Sequence, residues 1–477
     1  MSLSPRALAL LVSAAGVLAG CASPGALRPD LPAAAPVRWH APLPHAGDPA
    51  AIAGWWARFD DPLLARLVDA AQAASPTLAA AQARLAEARA ARTAAGARLL
   101  PTLDASASLS RGRAELGTPI ANTAVAGLQA GWELDLFGGA QAGRAAAGAR
   151  LAAAEAGWHD ARVVVAAETA QAYVALRACE ALRQQAELDA TSRDATARLT
   201  QEAARVGFQA PATAALADAS AAQARAQAVA QAAQCQGVVK SLVALTALDE
   251  AALAGQLAER TARLPAPAAL AVDSVPAQAL GQRPDLAMAG WAVEAAAAEV
   301  QAARADRWPR ITLAGSVSRA RVDFDGGRLE GNLWTLGPLA VSLPVFDAGT
   351  RAAQVDAASA RYDEALAAWR GSLRQAVREV ETALVQLDST ASRAADAQRA
   401  LDGFEASLRA TEARHLGGLA SLFELEDARR SAAAARSQWI ALQQERLSAW
   451  VTLYRALGGG WTADGPPPAP RPVAAAS

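Results

Sequence analysis

A chain of 477 residues could hold two or three domains, but its 53% hydrophobic content includes only 5% aromatic residues and rests largely on alanine. Alanine favours helix and lets helices approach closely, yet fills a globular core poorly, so long packed helices suit this composition better than a leucine- and phenylalanine-rich globule. A formal net charge of −1, with no basic patch, argues against nucleic acid as a partner.

Residues 1–20 read as a secretory signal peptide: Arg6 precedes an apolar run from Ala7 to Val17, and small residues follow. The run ends in "LAGC", which resembles the bacterial lipobox, so Cys21 is the expected lipidated first residue of the mature chain. Ala22, where an aspartate would signal retention in the inner membrane, favours the outer membrane by the same resemblance. Acyl chains anchor a protein without making it span. Residues 21–60 form the expected lipidated linker, rich in proline and alanine between Ala22 and Gly54. Beyond the signal no apolar run reaches the roughly 18 residues of a membrane helix, which leaves an anchored periplasmic protein or a β-barrel.

Residues 61–260 form a first repeat: a helix, a β-hairpin over 102–136 and a long helical hairpin over 139–248. A linker over 261–282 leads to a second repeat over 283–460, with a helix, a β-hairpin over 311–345 and a long helical hairpin over 347–457. Residues 461–477 read as a disordered tail. Pro76 and Pro284 lie 208 residues apart, as do Pro101 and Pro309, a spacing that means domain duplication rather than a solenoid. No proline interrupts residues 141–206 or 347–417, and a helix of ~60 residues is roughly 90 Å long. Small apolar residues at three- and four-residue spacing predict antiparallel coiled-coil packing of each long helix on its return partner.

Strands are expected near 102–111, 125–136, 311–320 and 333–345, with polar, glycine-rich loops at 112–122 and 320–332. Leu103, Ala105, Ala107 and Leu109 alternate with Thr102, Asp104, Ser106, Ser108 and Ser110. Leu128, Ala130, Trp132, Leu134 and Leu136 alternate with Gln129, Gly131, Glu133 and Asp135. In "WPRITLAGSVS" (308–318) one side carries Ile311, Leu313, Gly315 and Val317, the other only threonine, alanine and serine. Such alternation is the barrel signature, though two hairpins of a soluble sheet would share it. In lipid, four strands leave edges that must be paired, and the smallest common barrels have about eight strands. Several copies must therefore contribute, and three would supply twelve strands, each running into or out of a long helix.

The chain resembles the trimeric outer-membrane efflux channels (TolC-like), specifically the NodT-type lipoprotein branch. The resemblance rests on "LAGC", "WWARFDDPLLARLVDAAQAASPTL" (55–78), "WELDLFG" (132–138), "ALGQRPDLAMA" (279–289), "ADRWPRITLAGS" (305–316), "PVFDAGTRAAQ" (344–354), "REVETAL" (378–384), "LFELEDARRS" (422–431) and "LYRALGGGW" (453–461), in family order. It implies a mainly helical fold, a homotrimer whose twelve-stranded β-barrel continues into a long α-helical barrel, and an equatorial domain that would include the 261–282 linker. It also implies a channel with no enzymatic activity and no cofactor, docked to a periplasmic adaptor and an inner-membrane RND pump, as the exit duct for drugs or other small toxic compounds. A type I secretion duct is the nearest rival, and a pore-free periplasmic coiled-coil scaffold the rival from another class. Two departures stand out. "LTALDE" (245–250) lacks the glycine expected after the second helix of the hairpin, so the exit of that helix should differ. Trp308 replaces a common phenylalanine and is either an interfacial anchor or packing.

Carried onto this chain, the family's periplasmic gate falls on Phe423, Asp427 and Arg430, with Glu424 on the same helix face as Asp427. Asp427 is ten residues past Gly417, about 15 Å along a helix. The plainer alternative is a solvated face with routine pairs from Arg430 to Asp427 and Glu426. Cys179 and Cys235 have their midpoint at Gly207, so an antiparallel hairpin sets them at similar heights. An oxidising periplasm allows a disulfide, whereas the usual 8–10 Å helix spacing favours two buried thiols. The four histidines show no ligand spacing, so no metal site is expected. Trp132 and Trp334 suit aromatic girdles or plain packing.

Overall fold

The computed structural model of the chain describes residues 55–56, 58–113, 119–266 and 280–461. The expected signal peptide, Cys21, the linker up to Gly54, the tail beyond Trp461 and residues 267–279 of the second linker lie outside the described residues. Two compact units are described separately. One contains Ala83–Glu155 and Ala287–Gly371; the other contains the described residues up to Gln82, Ala156–Leu286 and those from Ser372 onward.

The duplication appears as matched elements. Helices α1 (Pro62–Ala74) and α2 (Pro76–Ala97) lead to β1 (Thr102–Gly112) and β2 (Ala121–Leu134), then α3 (Gly139–Arg205), α4 (Pro211–Thr246) and the short α5 (Glu250–Ala258). The second half runs α6 (Pro284–Ala305), β3 (Arg310–Phe324), β4 (Gly327–Ser342), α7 (Thr350–Leu416) and α8 (Leu422–Ala456). Helices α2 and α6 each have 22 residues and α3 and α7 each have 67, the latter roughly 100 Å of helix apiece. Their starts repeat too. Asp135 accepts from the backbone N–H of Ala140 (3.0 Å) and Gln141 (2.8 Å), and Asp347 accepts from Gly349 (3.0 Å) and Arg351 (3.1 Å). A carboxylate there satisfies free donors and complements the positive helix end. None of the described helices is long and apolar enough to cross a membrane.

In the first unit all four strands form one antiparallel sheet in the order β1-β2-β3-β4. The strands outrun the sequence expectation. The expected loop at 320–332 shrinks to the turn Asp325-Gly326, because pairing continues to Phe324 opposite Gly327. Polar residues and glycines there suggest a loop, but opposite charges across a ladder support a strand as well as apolar pairs do. Likewise β2 begins at Ala121 and ends at Leu134. Pro338 lies within β4, which is an edge strand, at a bulge opposite Leu313/Gly315 where the ladder is already interrupted.

In the second unit, sequence motifs distant along the chain meet. The Arg283 side chain is buried and donates to the Ala456 carbonyl (2.7 Å), to Glu379 (2.9 Å) and to Asp285 (2.7 Å). It thus joins the start of α6, the middle of α7 and the end of α8. Gly458, at φ 77°, lies so close to this junction that a Cβ would come within 2.1 Å of the Gln282 carbonyl, which only glycine tolerates. Asp61, buried at the start of α1, accepts from Leu63 N–H (3.1 Å) and from the Tyr173 hydroxyl (2.6 Å) on α3. Burial and this bond to a carboxylate raise the Tyr173 pKa. Trp55 packs edge-on against Trp450, centroids 6.1 Å apart, so residues before α1 are held against α8.

The exit of α4 corrects the sequence expectation. The helix ends in the usual way, with Ala247 taking the left-handed position (φ 51°, ψ 22°) and its N–H bonded to Val243 O at 2.8 Å. A left-handed alanine costs about 1 kcal/mol relative to glycine. Ala247→Gly is therefore expected to stabilise the protein by about 0.5–1 kcal/mol, read as a higher denaturant midpoint with an unchanged slope.

Candidate functional site

The register places most apolar positions on one sheet face, with Val125, Val322, Leu329 and Leu333 on the other. Rows running across β1 to β4 read Leu103–Ala130–Gly315–Leu336 and Ala105–Leu128–Val317–Trp334. Toward the helix-connected ends the face continues with Trp132–Leu313–Leu339 and Leu134–Ile311–Val341. These side chains are exposed: Leu103 is 68% accessible, Trp334 74% and Leu339 62%. The opposite face carries Thr102, Asp104, Ser106, Gln129, Thr312, Ser316 and Thr335 at paired positions, with a bond between the Ser316 and Thr335 hydroxyls (2.8 Å) and an ion pair from Arg310 to Glu133 (3.0 Å). Along β2 the band of rows without charge runs from Leu134 to Leu128, ~20 Å of strand. Trp132 and Trp334 lie toward opposite ends of that band, and the Trp132 indole donates to Leu99 O (3.1 Å). Trp308 stacks on Phe137, with centroids 5.5 Å apart and planes 9° off parallel, and keeps 54% of its surface exposed.

The helical-hairpin turns are in the other unit. Helix α8 begins at Leu422, after a turn, so Asp427 lies five residues along it, only ~8 Å from its start. Asp427 accepts from Arg430 at 2.8 Å, and both side chains are exposed. Phe423 is 70% accessible. Glu424 does not join Asp427. Its carboxylate turns back to accept from Ser421 N–H (2.7 Å) and Ser421 Oγ (2.9 Å), while Ser421 Oγ accepts from Glu424 N–H, closing a capping box. The Ser421 backbone N–H, then its hydroxyl, hold the Glu424 pKa below the usual carboxylate range. Glu426 does not pair with Arg430 either. It accepts from Arg429 (3.0 Å), from Ser220 Oγ (2.7 Å) and from Arg193, which itself bonds Asp189 (2.8 Å). Arg429 is buried and also donates to Ser192 Oγ (2.8 Å) and Thr196 Oγ1 (3.0 Å). This network links α8 to both helices of the other hairpin, α3 and α4. Beside it Leu422 and Leu425 pack with Ala197, Ala217 and Ala221. Sequence reasoning missed it because partners more than 200 residues apart carry no spacing signal. Among the described residues no cluster of His, Cys, Asp and Glu could hold a metal ion.

The sequence profile of the family described as "Outer membrane efflux protein" matches residues 67–248 and 275–459, one span in each half. The chain belongs to this family. Among its relatives is the pyoverdine export outer membrane protein OpmQ of Pseudomonas aeruginosa, 30% identical over 469 residues, covering 95% of this chain and 97% of OpmQ. The solvent efflux pump outer membrane protein SrpC of Pseudomonas putida is 28% identical over 411 residues, covering 85% and 87% of the two chains. The solved outer-membrane channel OprN superposes with a TM-score of 0.82 at 27% identity, covering 91% of this chain and 98% of that one. The protein is accordingly an outer membrane efflux channel that extends into the periplasm, a transport protein rather than an enzyme. Channels of this fold are trimers that work with other efflux-pump components.

In the channel's first helical hairpin, Cys179 on α3 and Cys235 on α4 are joined by a disulfide, with Cα atoms 5.6 Å apart. That is closer than ordinary helix packing, and alanine-rich faces such as Ala221, Ala224, Ala178 and Ala190, all buried, permit it. The bond closes a segment of 56 residues, which by chain entropy contributes about 4 kcal/mol to stability. Alkylation of the unfolded, unreduced mature protein is expected to leave both cysteines unmodified, with two modified after reduction. Labelling of both without reductant would exclude the bond.

Proposed function

We propose that the protein is the homotrimeric exit duct of a tripartite RND-type efflux pump, passively conducting drugs or other small toxic compounds from the periplasm to the exterior. One observation carries this reading: a four-stranded sheet with an exposed apolar face and with β1 and β4 each paired on one side only. In lipid such edges need partners, and three copies joined β1 to β4 give twelve strands with none open. The small, hydroxyl-rich face then lines a wet lumen. A lipid anchor on Cys21 in the outer membrane, and a periplasmic adaptor and inner-membrane pump as partners, complete the assembly. Relatives named for pyoverdine export and for solvent efflux align along most of the chain. Cargo choice therefore belongs to the pump rather than to the duct.

We further propose that Phe423, Asp427 and Arg430 line the periplasmic constriction, with Glu424 acting as a helix cap behind them. Three Asp427 carboxylates brought close repel, and Arg430 at 2.8 Å offsets that charge. Losing the pair favours separation of the hairpin tips. In planar bilayers the purified protein is expected to conduct ions with low single-channel conductance, and Arg430→Ala, which leaves the three Asp427 carboxylates uncompensated, to raise it several-fold. No conductance from either protein would contradict the duct. Equal conductance from both would remove the gate while leaving the duct standing.

A further inference from the structure

On β3 and β4 the apolar face of the sheet ends abruptly at the strand ends nearer the hairpin turns, while β1 and β2 keep Ala107, Leu109, Ala126 and Ala124 there. After Ala105–Leu128–Val317–Trp334 the next rows read Ala107–Ala126–Arg319–Asn332, Leu109–Ala124–Arg321–Glu330 and Arg111–Asn122–Asp323–Arg328. Four arginines thus share one side of the sheet with two carboxylates, immediately beyond the membrane-height apolar rows and next to Trp334. Glu330 accepts from Arg319 (3.0 Å), and Asp323 accepts from Arg321 (2.8 Å) and Arg328 (2.6 Å). Arg111 is exposed and has no partner among the described residues. Asp325 sits in the turn, past the last paired row.

The local ion pairs leave positive charge over. A guanidinium has about five donors and a single carboxylate occupies one or two of them. Arg319, Arg321 and Arg328 stay largely accessible, their side chains 68%, 46% and 57% exposed. An unmatched charge on the lipid side of a barrel is costly within the hydrocarbon but not at the headgroup level. There, planar guanidinium groups bind phosphate oxygens in pairs, and basic clusters beside a membrane surface recruit anionic lipid.

We propose that Arg319, Arg321 and Arg328, with Arg111 at the edge, form a docking site for the headgroup phosphates of a phosphorylated glycolipid in the outer leaflet, whose acyl chains lie along the apolar rows ending at Val317 and Trp334. This rests on the outer-membrane barrel reading. Charge complementarity and the unbroken passage from apolar to cationic rows on one face support this occupant. The site binds lipid around the channel and takes no part in conduction.

Native mass spectrometry of the detergent-purified full-length trimer tests it, with bisphosphorylated lipid A, dephosphorylated lipid A and inorganic pyrophosphate as probes. Bisphosphorylated lipid A is expected to bind at least tenfold more tightly than the dephosphorylated form. Arg319→Gln, Arg321→Gln and Arg328→Gln together should remove most of that difference, and pyrophosphate should not displace the lipid. Equal binding of the two lipids, an unaffected triple variant, or complete displacement by pyrophosphate would each overturn the proposal. If the triple variant does not assemble as a heat-modifiable trimer, the comparison of the two lipids on the unaltered protein decides. Failure here with conductance intact sinks only the lipid site; absence of conductance in the unaltered protein sinks the channel reading.

Discussion

An unpaired backbone amide or carbonyl cannot be left in hydrocarbon, and the remaining features of the barrel unit follow from that constraint. Each chain contributes four strands in one antiparallel sheet, and β1 and β4 keep one open side. Water would tolerate these edges and lipid does not. The apolar rows around Leu103, Leu128, Val317 and Trp334 are exposed in a single chain, so the same sheet face that requires lipid also requires further copies. Closure of the barrel and association of the chains are thus one event.

The duplicated halves divide the remaining work. The motifs most visible in the sequence, around Asp61, Arg283, Glu379 and Gly458, converge on buried junctions that fix where helices begin and end rather than on a constriction. Arg283 illustrates the economy of that solution, since one buried cation joins three helices through charged and carbonyl partners. Removing any one partner would leave a buried charge incompletely satisfied. Near the hairpin turns a second buried arginine, Arg429, performs the equivalent task between the two hairpins. The exposed Asp427–Arg430 pair lies beside that network but outside it, where a surface pair contributes little to stability and is free to change.

Much of the fold was legible in the sequence because it rests on local rules. Prolines at 76 and 284 open helices α2 and α6, alanine spacing runs the long helices, and alternation marks the strands. Boundaries failed where a tertiary pairing overrode local composition. The polar, glycine-rich stretch from Ala320 to Asn332 reads as a loop, yet cross-strand ion pairs hold it in β3 and β4. Ala247 likewise adopts a glycine conformation, closing α4 through its N–H bond to Val243 O. At the tips, Asp427 and Arg430 could be placed by resemblance, and the Ser421-x-x-Glu424 spacing is a local capping-box signature, but the network around Glu426 could not be read, since it depends on contacts across more than 200 residues.

The central claim, that β1 of one copy pairs with β4 of the next, is tested most directly by cysteine cross-linking between the two edges. Within one chain the four-strand order separates these edges by about 14 Å, beyond disulfide reach. A cysteine at Ser106 on β1, combined in turn with cysteines at Gly331, Leu333 and Thr335 on β4, samples the register on the lumen face. The account predicts that one register oxidises in outer membranes to a covalent trimer resistant to heat and SDS. Oxidation that yields no cross-link at any register, or only covalent dimers, would contradict it.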